Sequence, residues 1–162
     1  MLVKRLAPMA LLALSATSPA LAQTASPYQF SPDEFRYLSN GEIEQSLIPR
    51  TGHDYSGNTV NRHETYWVEF MKRFDHGNLI EFHSHWVDYI TVMAGEGTVT
   101  YGGTVAGATP AGPGEMRGGT MTGGTVQPLK AGDYVLIPAG VSHIINASQG
   151  KELKYVIFKH RV

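Results

Sequence analysis

The chain of 162 residues contains no cysteine. It can therefore form no disulfide framework and carry no lipid anchor on cysteine. Charged residues make up only 17%, and 13 basic residues nearly balance 14 acidic ones. The lysines and arginines do not cluster as they do on surfaces that bind nucleic acid or anionic membranes. We therefore expect no nucleic-acid partner, and expect a small molecule or another protein instead.

The chain also lacks an apolar run of about 20 residues, the length that spans a bilayer. The apolar stretch 6–14 is too short; it follows Lys4-Arg5 and precedes the small-residue pattern Ala20-Leu21-Ala22. This order is typical of a cleaved signal peptide. It predicts a signal peptide over 1–22 and an exported protein, periplasmic or secreted, with no membrane contact after cleavage. A retained N-terminal anchor is the alternative.

About 140 residues remain after cleavage, which suffices for one domain with a sizeable core. Residues 23–62 are polar and mixed, and we interpret them as an N-terminal segment with short helices. Ser31-Pro32-Asp33-Glu34 predicts a helix over 32–38, and Asn40 is the predicted cap of a second helical turn. Residues 63–162 show the alternation of a β-domain.

About seven short strands are predicted in this β-domain. They cover 66–71, 79–85, 87–93, 98–101, 133–137, 142–147 and 153–159, with turns at 75–78 and 94–97. Short strands with glycine turns are typical of an all-β sandwich or barrel. The glycine-rich stretch 102–125 interrupts the series, and we interpret it as a loop or irregular ribbon at one end of the barrel. A stretch without a role is the alternative.

Two histidine motifs carry the strongest functional signal. His83 and His85 are separated by one serine, and alternate residues of a strand project from the same face. His143 follows Pro138-Ala139-Gly140 and can arrive from a strand that is distant in sequence. Three imidazoles that converge inside a barrel are typical of a divalent metal site. The alternative is that each histidine has no ligand role.

The spacing of both motifs resembles the cupin superfamily, small double-stranded β-helix barrels that include germins and many metal-dependent dioxygenases. Gly77, five residues, His83, Ser84 and His85, with Gly95 further on, match the first motif. Gly132, five residues, Pro138-Ala139-Gly140 and His143 match the second. The resemblance covers residues 77–146, roughly half of the mature chain. It implies an all-β jelly-roll barrel with a short helical N-terminal segment.

The sequence departs from the cupin pattern at the acidic metal ligand. Cupins commonly have a glutamate there, whereas this chain has Asp88, closer to the preceding histidine. The resemblance implies His83, His85, Asp88 and His143 as ligands of one metal ion. Asp88 either binds the ion directly or holds a histidine Nδ1–H. Tyr89 is the residue that stands at the position of the cupin glutamate when residues are counted from His85. The alternative for Tyr89 is that its side chain packs in the barrel wall.

Alternation from His83 points Glu81 into the same interior, which makes it a candidate catalytic residue. Tyr89, at the position given by counting, is the second candidate. An exposed edge position is the alternative for Glu81. In the insertion, Glu115 and Arg117 are the charged residues that we expect to meet a polar substrate or the barrel rim.

Three histidines with an open coordination position suit Fe, Mn, Cu, Ni or Zn. A redox-active ion predicts an oxidoreductase such as a dioxygenase, whereas zinc or nickel predicts Lewis-acid isomerase or lyase chemistry. We therefore expect a metal-dependent enzyme that acts on a small polar molecule. The alternative is a non-catalytic cupin module that binds a small molecule or a metal. A homodimer is compatible with both.

Overall fold

The structure is a computed structural model that describes residues 30–31, 33–47, 55–74 and 78–162. The predicted signal peptide 1–22 and most of the predicted turn at 75–78 lie outside the described residues. No helix in the described part of the chain is both long and apolar enough to cross a membrane.

The described residues form one helix and twelve strands. They are α1 (Asn40–Ser46), β1 (Tyr55–Arg62), β2 (Tyr66–Arg73), β3 (Glu81–His83), β4 (Trp86–Tyr101), β5 (Thr104–Ala106), β6 (Thr109–Gly112), β7 (Glu115–Arg117), β8 (Thr120–Thr122), β9 (Thr125–Lys130), β10 (Tyr134–Ile137), β11 (His143–Ala147) and β12 (Leu153–Arg161). The predicted all-β class is confirmed.

Ten of the strands form one curled antiparallel sheet. Its main order is β1-β2-β12-β4-β11-β3-β7-β6, and β9 and β10 also pair with β4. The first part of β4 pairs with β10 and β12, and its last part pairs with β9 and β11. This long central strand therefore joins the two halves of a barrel, which is the double-stranded β-helix architecture that the sequence predicts.

The predicted turn at 94–97 is wrong, because β4 runs through it without ending. Gly95 has φ +84°, and the pairing with β12 shifts register between Lys154 and Tyr155. A Cβ on Gly95 would lie 1.9 Å from the carbonyl oxygen of Glu152. The glycine thus permits a local bend at a close backbone contact, and the strand continues into the second half of the barrel.

The predicted helix over 32–38 is also wrong, since residues 35–39 have no helical structure. The helix begins at Asn40 and its cap is Ser39, one residue before the predicted cap. The Ser39 side chain accepts from the Glu42 N–H, and the Glu42 carboxylate accepts from the Ser39 N–H at 2.8 Å. This reciprocal capping box fixes where the helix starts.

The glycine-rich insertion is an ordered ribbon. β5 pairs with β8 near its base, and β6 pairs with β7 near its tip. β7 then adds to the edge of β3, with Glu115 opposite His83 and Arg117 opposite Glu81. The ribbon therefore folds back along the strand that carries the first histidine motif.

The barrel core is apolar at its centre and charged on one side. The central cluster consists of Met71, Ile90, Val92, Val99, Leu129, Ile137, Ile145, Ala147, Leu153, Tyr155 and Ile157. Buried charged or titratable side chains continue the same interior faces, among them Arg73, His83, Asp88, His143 and Lys159. Because buried charges are costly unless they are paired, this polar group requires an explanation beyond packing.

Candidate functional site

The two cupin-like motifs place His83 and His143 on neighbouring strands. His83 is the last residue of β3 and His143 the first of β11, and each is 2% exposed. Their ring centroids lie 5.4 Å apart. Asp88, on β4, is 1% exposed and faces the same point. The structure thus brings together three of the four predicted ligands.

His85 does not join them. β3 ends at His83, and Ser84 and His85 form a bend that leaves the His85 side chain exposed. The ring of His85 lies beside Gly114 at the ribbon tip, where a Cβ would come within 2.8 Å of Cδ2. The expectation that both histidines share a face is therefore wrong, because alternation holds only while the strand continues.

Both buried imidazoles are held through Nδ1. Nδ1 of His83 lies 2.6 Å from Oε2 of Glu115, and Nδ1 of His143 lies 3.1 Å from the carbonyl oxygen of Val141. Since these acceptors are oxygens, each Nδ1 carries the hydrogen, and Nε2 of each ring is directed into the barrel. A histidine held in this way presents its Nε2 lone pair to a metal ion.

Carboxylate oxygens complete the group. Oε2 of Glu81 lies 3.4 Å from Nε2 of His83, and Oδ2 of Asp88 lies 3.5 Å from Nε2 of both histidines. Around a tetrahedral ion with bonds of about 2.1 Å, ligand atoms are separated by about 3.4 Å. The ligand atoms of Glu81, His83 and His143 all lie within 4.8 Å of one another, so these three residues could hold a metal ion.

Asp88 has spare acceptor capacity as well. Its Oδ1 atom is buried and has no hydrogen-bond partner within the described residues. A buried carboxylate oxygen without a partner is costly. The donor set of two imidazoles with one or two carboxylates therefore fits a divalent transition metal.

The structure places only one of the two candidate catalytic residues next to the histidines. Glu81 points inward, and its side chain is 19% exposed, which argues against the exposed edge position. Tyr89 follows Asp88 on β4 and so faces the other side of the sheet, where its ring lies 5.8 Å from that of Phe158. The structure thus places Glu81 beside the histidines and Tyr89 in the outer wall.

A cavity of about 280 Å³ opens beside this group. Its charged or titratable lining consists of Glu69, Arg73, Glu81, Asp88, Arg117, His143, Tyr155 and Lys159. Its apolar lining includes Trp67, whose buried Nε1–H has no partner among the described residues. The cavity therefore offers charges of both signs and a free indole donor to a small polar molecule.

Sequence reasoning missed three of these groups, although alternation could have found them. Lys159 continues the inward series Tyr155 and Ile157 on β12. Arg73 and Glu69 flank the buried Met71 at two-residue spacing on β2. Charged residues at the end of an apolar alternating series are thus the signal for a polar end of the barrel.

Arg73 and Lys159 compensate the buried carboxylates. Arg73 Nη2 donates to Oε1 of Glu81 at 2.8 Å, and its Nε donates to the Tyr155 hydroxyl at 2.9 Å. Lys159 Nζ donates to Oδ2 of Asp88 at 2.8 Å and also lies 2.8 Å from Nε2 of His83. Both cations are therefore structural partners of the residues that could bind a metal.

The pKa values follow from this mixture of burial and charge. Burial raises the pKa of Glu81, but the hydrogen bond to His83 and the charge of Arg73 outweigh burial and hold it well below its usual range. Burial also raises the pKa of Asp88, and the hydrogen bond to His83 and the charge of Lys159 bring it below its ordinary value. Both carboxylates are thus ionised at neutral pH.

The two histidines shift in opposite directions. Burial lowers the pKa of His143, which therefore stays neutral at neutral pH. Burial lowers the pKa of His83 too, but hydrogen bonds to Asp88 and Glu81 raise it to about 9. The 2.8 Å contact between His83 Nε2 and Lys159 Nζ has room for one proton only. The carboxylates around His83 thus favour one positive charge at Nε2, carried by a proton, an ammonium or a metal ion.

No protein-family model and no curated protein matches the sequence. Among solved structures, an uncharacterized conserved protein with a double-stranded beta-helix domain from Klebsiella pneumoniae is similar at 20% identity and a TM-score of 0.57, over 78% of this chain and 90% of that one. The cupin domain of Cnp3 from Schizosaccharomyces pombe is similar at 10% identity and a TM-score of 0.50, over 68% of this chain and 66% of that one. The chain has the cupin fold.

A third structure with a similar fold belongs to a protein that is named for a peptidase activity. Peruvianin-I, a cysteine peptidase from Thevetia peruviana latex, is similar at 11% identity and a TM-score of 0.53, over 84% of this chain and 77% of that one. The present chain contains no cysteine. Identities this low establish a shared fold and not a shared function.

Proposed function

We propose that this cupin binds one divalent transition metal ion through His83, His143 and Glu81, and acts there on a small polar molecule. The observation that carries the proposal is the orientation of the two imidazoles. Each Nδ1–H is held by an oxygen, and both Nε2 atoms face Asp88 Oδ2 at 3.5 Å. Asp88 is the fourth proposed ligand, through Oδ2 or through its unpartnered Oδ1.

The cavity supports the second half of the proposal. At about 280 Å³ it is near the lower end of the range for small-molecule sites, so it suits a compact substrate. Arg117, whose side chain is 30% exposed, offers positive charge to an anionic or carbonyl group, and Glu69 offers a carboxyl group whose pKa is raised by burial. A bound ion would polarise a substrate oxygen or, if it is redox-active, bring dioxygen and substrate together.

The chain's own residues would orient the substrate and handle its protons. Arg73 holds Glu81 through a hydrogen bond to Oε1, so that Oε2 faces His83. Glu69 is the candidate for exchanging a proton with the substrate, because burial raises the pKa of its carboxyl group. Oxygenase and Lewis-acid reactions are both proposed classes for this site. Export of the protein and a homodimer remain proposals from the sequence.

Metal stoichiometry tests the proposal. The protein is stripped with a chelator, incubated separately with iron(II), manganese, nickel, copper and zinc, desalted, and analysed for metal per chain. We expect one ion per chain in the parent, and a drop well below one for His143→Ala and Glu81→Gln. His85→Ala is the matched control and should keep the ion, because His85 is exposed outside the group.

Two results would contradict the metal site. One is full occupancy in His143→Ala, and the other is loss of the ion in His85→Ala alone. The variant Asp88→Asn tests whether Asp88 binds the ion directly. A loss of bound metal comparable with that in His143→Ala indicates direct ligation, whereas a loss of about 10–100-fold in metal affinity indicates a supporting role. A stable protein that binds none of these metals would favour the non-catalytic binding module.

A further inference from the structure

Lys159 lies where the metal-binding atoms converge. Its side chain is 6% exposed, and Nζ lies 2.8 Å from both Nε2 of His83 and Oδ2 of Asp88. It also lies over the Trp67 ring, 5.6 Å from the centroid. The ammonium thus contacts two of the four residues proposed to bind an ion, from inside the barrel.

An ammonium and a metal ion cannot use these atoms together. Nε2 of His83 has one lone pair, and its 2.8 Å contact with Nζ of Lys159 already uses that lone pair for the one proton between the two nitrogens. A divalent ion at this nitrogen would also lie within a few ångströms of the ammonium, in a buried region where like charges repel strongly. Metal binding therefore requires that Nζ first leave His83.

The surroundings explain why a cation is present at all. Oxygens of Glu81, Asp88 and Glu115 surround His83 at 3.4 Å, 3.5 Å and 2.6 Å. Buried negative charge of this density needs a positive partner. Arginines pair with Glu81 and Glu115, and Lys159 is the positive partner of Asp88.

We propose that Lys159 is an internal cation that occupies the metal position of the metal-free site and withdraws when an ion binds. This inference rests on the proposed metal site. Glu69 provides a place for the withdrawn ammonium, since it lines the same cavity and the charge of Lys159 already acts on its carboxyl group. After withdrawal, Lys159 adds a cation to the cavity beside the ion.

Competition of this kind lowers metal affinity, so removing the ammonium should raise it. Zinc is titrated into chelator-stripped protein in competition with a chromophoric chelator. We expect Lys159→Met and Lys159→Gln to bind zinc at least about 10-fold more tightly than the parent, which corresponds to about 1.4 kcal/mol. Lys159→Arg keeps a cation and should remain close to the parent.

Lys154 provides the matched control. It lies on the same strand, is similarly buried at 11% exposure, and pairs with Glu44 away from the site. Lys154→Gln should leave zinc affinity unchanged. Lys159→Gln is included because it keeps a hydrogen-bond donor for Asp88, which Lys159→Met removes. It therefore remains informative if Lys159→Met does not fold.

The outcomes separate this inference from the metal site itself. If Lys159→Met and Lys159→Gln bind zinc no more tightly than the parent while His143→Ala abolishes binding, the internal-cation role is overturned and the metal site stands. If neither the parent nor the Lys159 variants bind zinc in a manner that depends on His143, both proposals fail. A gain in affinity that disappears in the double variant His143→Ala with Lys159→Gln supports both.

Discussion

Oε2 of Glu115 lies 2.6 Å from Nδ1 of His83, although Glu115 belongs to the glycine-rich ribbon and His83 to the barrel. The contact follows from the pairing of β7 with β3, which places the two residues opposite each other. A carboxylate on Nδ1 fixes the tautomer and ring orientation of a metal-binding histidine. The insertion is therefore part of the candidate site.

Loss of the Glu115 carboxylate should weaken metal binding without removing it. We expect Glu115→Gln to lower zinc affinity by about 10-fold, because an amide oxygen still accepts from Nδ1, and Glu115→Ala by up to about 100-fold. Glu152→Gln is the control, since Glu152 is an exposed carboxylate paired with Lys72 away from the site. Zinc titration checks this, and parent-like affinity in Glu115→Ala would show that the contact has no role.

A methyl group at the ribbon tip should disturb the same contact. Gly114 has φ +75°, and a Cβ there would lie 2.2 Å from Oγ of Ser84 and 2.8 Å from Cδ2 of His85. Gly107, in the same ribbon, also has φ +75°, but a Cβ there meets nothing within 4 Å. The two positions therefore share the backbone strain and differ in the contact.

We expect Gly107→Ala to cost about 1 kcal/mol of unfolding free energy from its positive φ alone. Gly114→Ala should cost more and should also lower zinc affinity, because the tip that carries Glu115 must move away from Ser84. Denaturant unfolding and zinc titration on both variants measure the difference. Equal effects of the two substitutions would mean that the tip contact does not position Glu115.

Period-two alternation explains most of what the sequence predicts correctly about the site. It places Glu81 and His83 in the interior, and the spacing of the second motif brings His143 to them. It fails for His85 because nothing in the sequence marks the end of β3 after three residues. The bend depends on the ribbon, whose Gly114 carbonyl accepts from the Ser84 N–H at 2.8 Å.

Strand boundaries in the fold also depend on long-range pairing as well as on local sequence. The sequence does not predict β1, because Ser56, Gly57 and Asn58 have low strand propensity. It forms because its backbone pairs with β2 along most of its length. The sequence predicts two strands in place of β4, since Gly95 is a turn signal. Strands paired on both sides of β4 hold it as one strand. Long-range pairing outweighs local preference in both cases.

The raised pKa of His83 predicts a pH dependence of the metal-free protein. The pKa is about 9 in the folded chain and 6.5 in the unfolded chain, because hydrogen bonds to Asp88 and Glu81 outweigh the effect of burial. The folded state then binds the proton more tightly. The resulting stabilisation is fully present below pH 6.5 and is lost as the pH rises towards 9.

Denaturant unfolding in the presence of a chelator, compared between the parent and His83→Gln from pH 6.5 to pH 9, isolates this contribution. The parent should lose up to about 1.4 kcal/mol per pH unit relative to the variant. In saturating zinc the free energy of unfolding of the parent should instead rise with pH. The ion competes with the proton for Nε2 and binds more tightly as the pH rises. Parallel pH profiles of parent and variant without metal would mean that His83 carries no additional proton in the folded state.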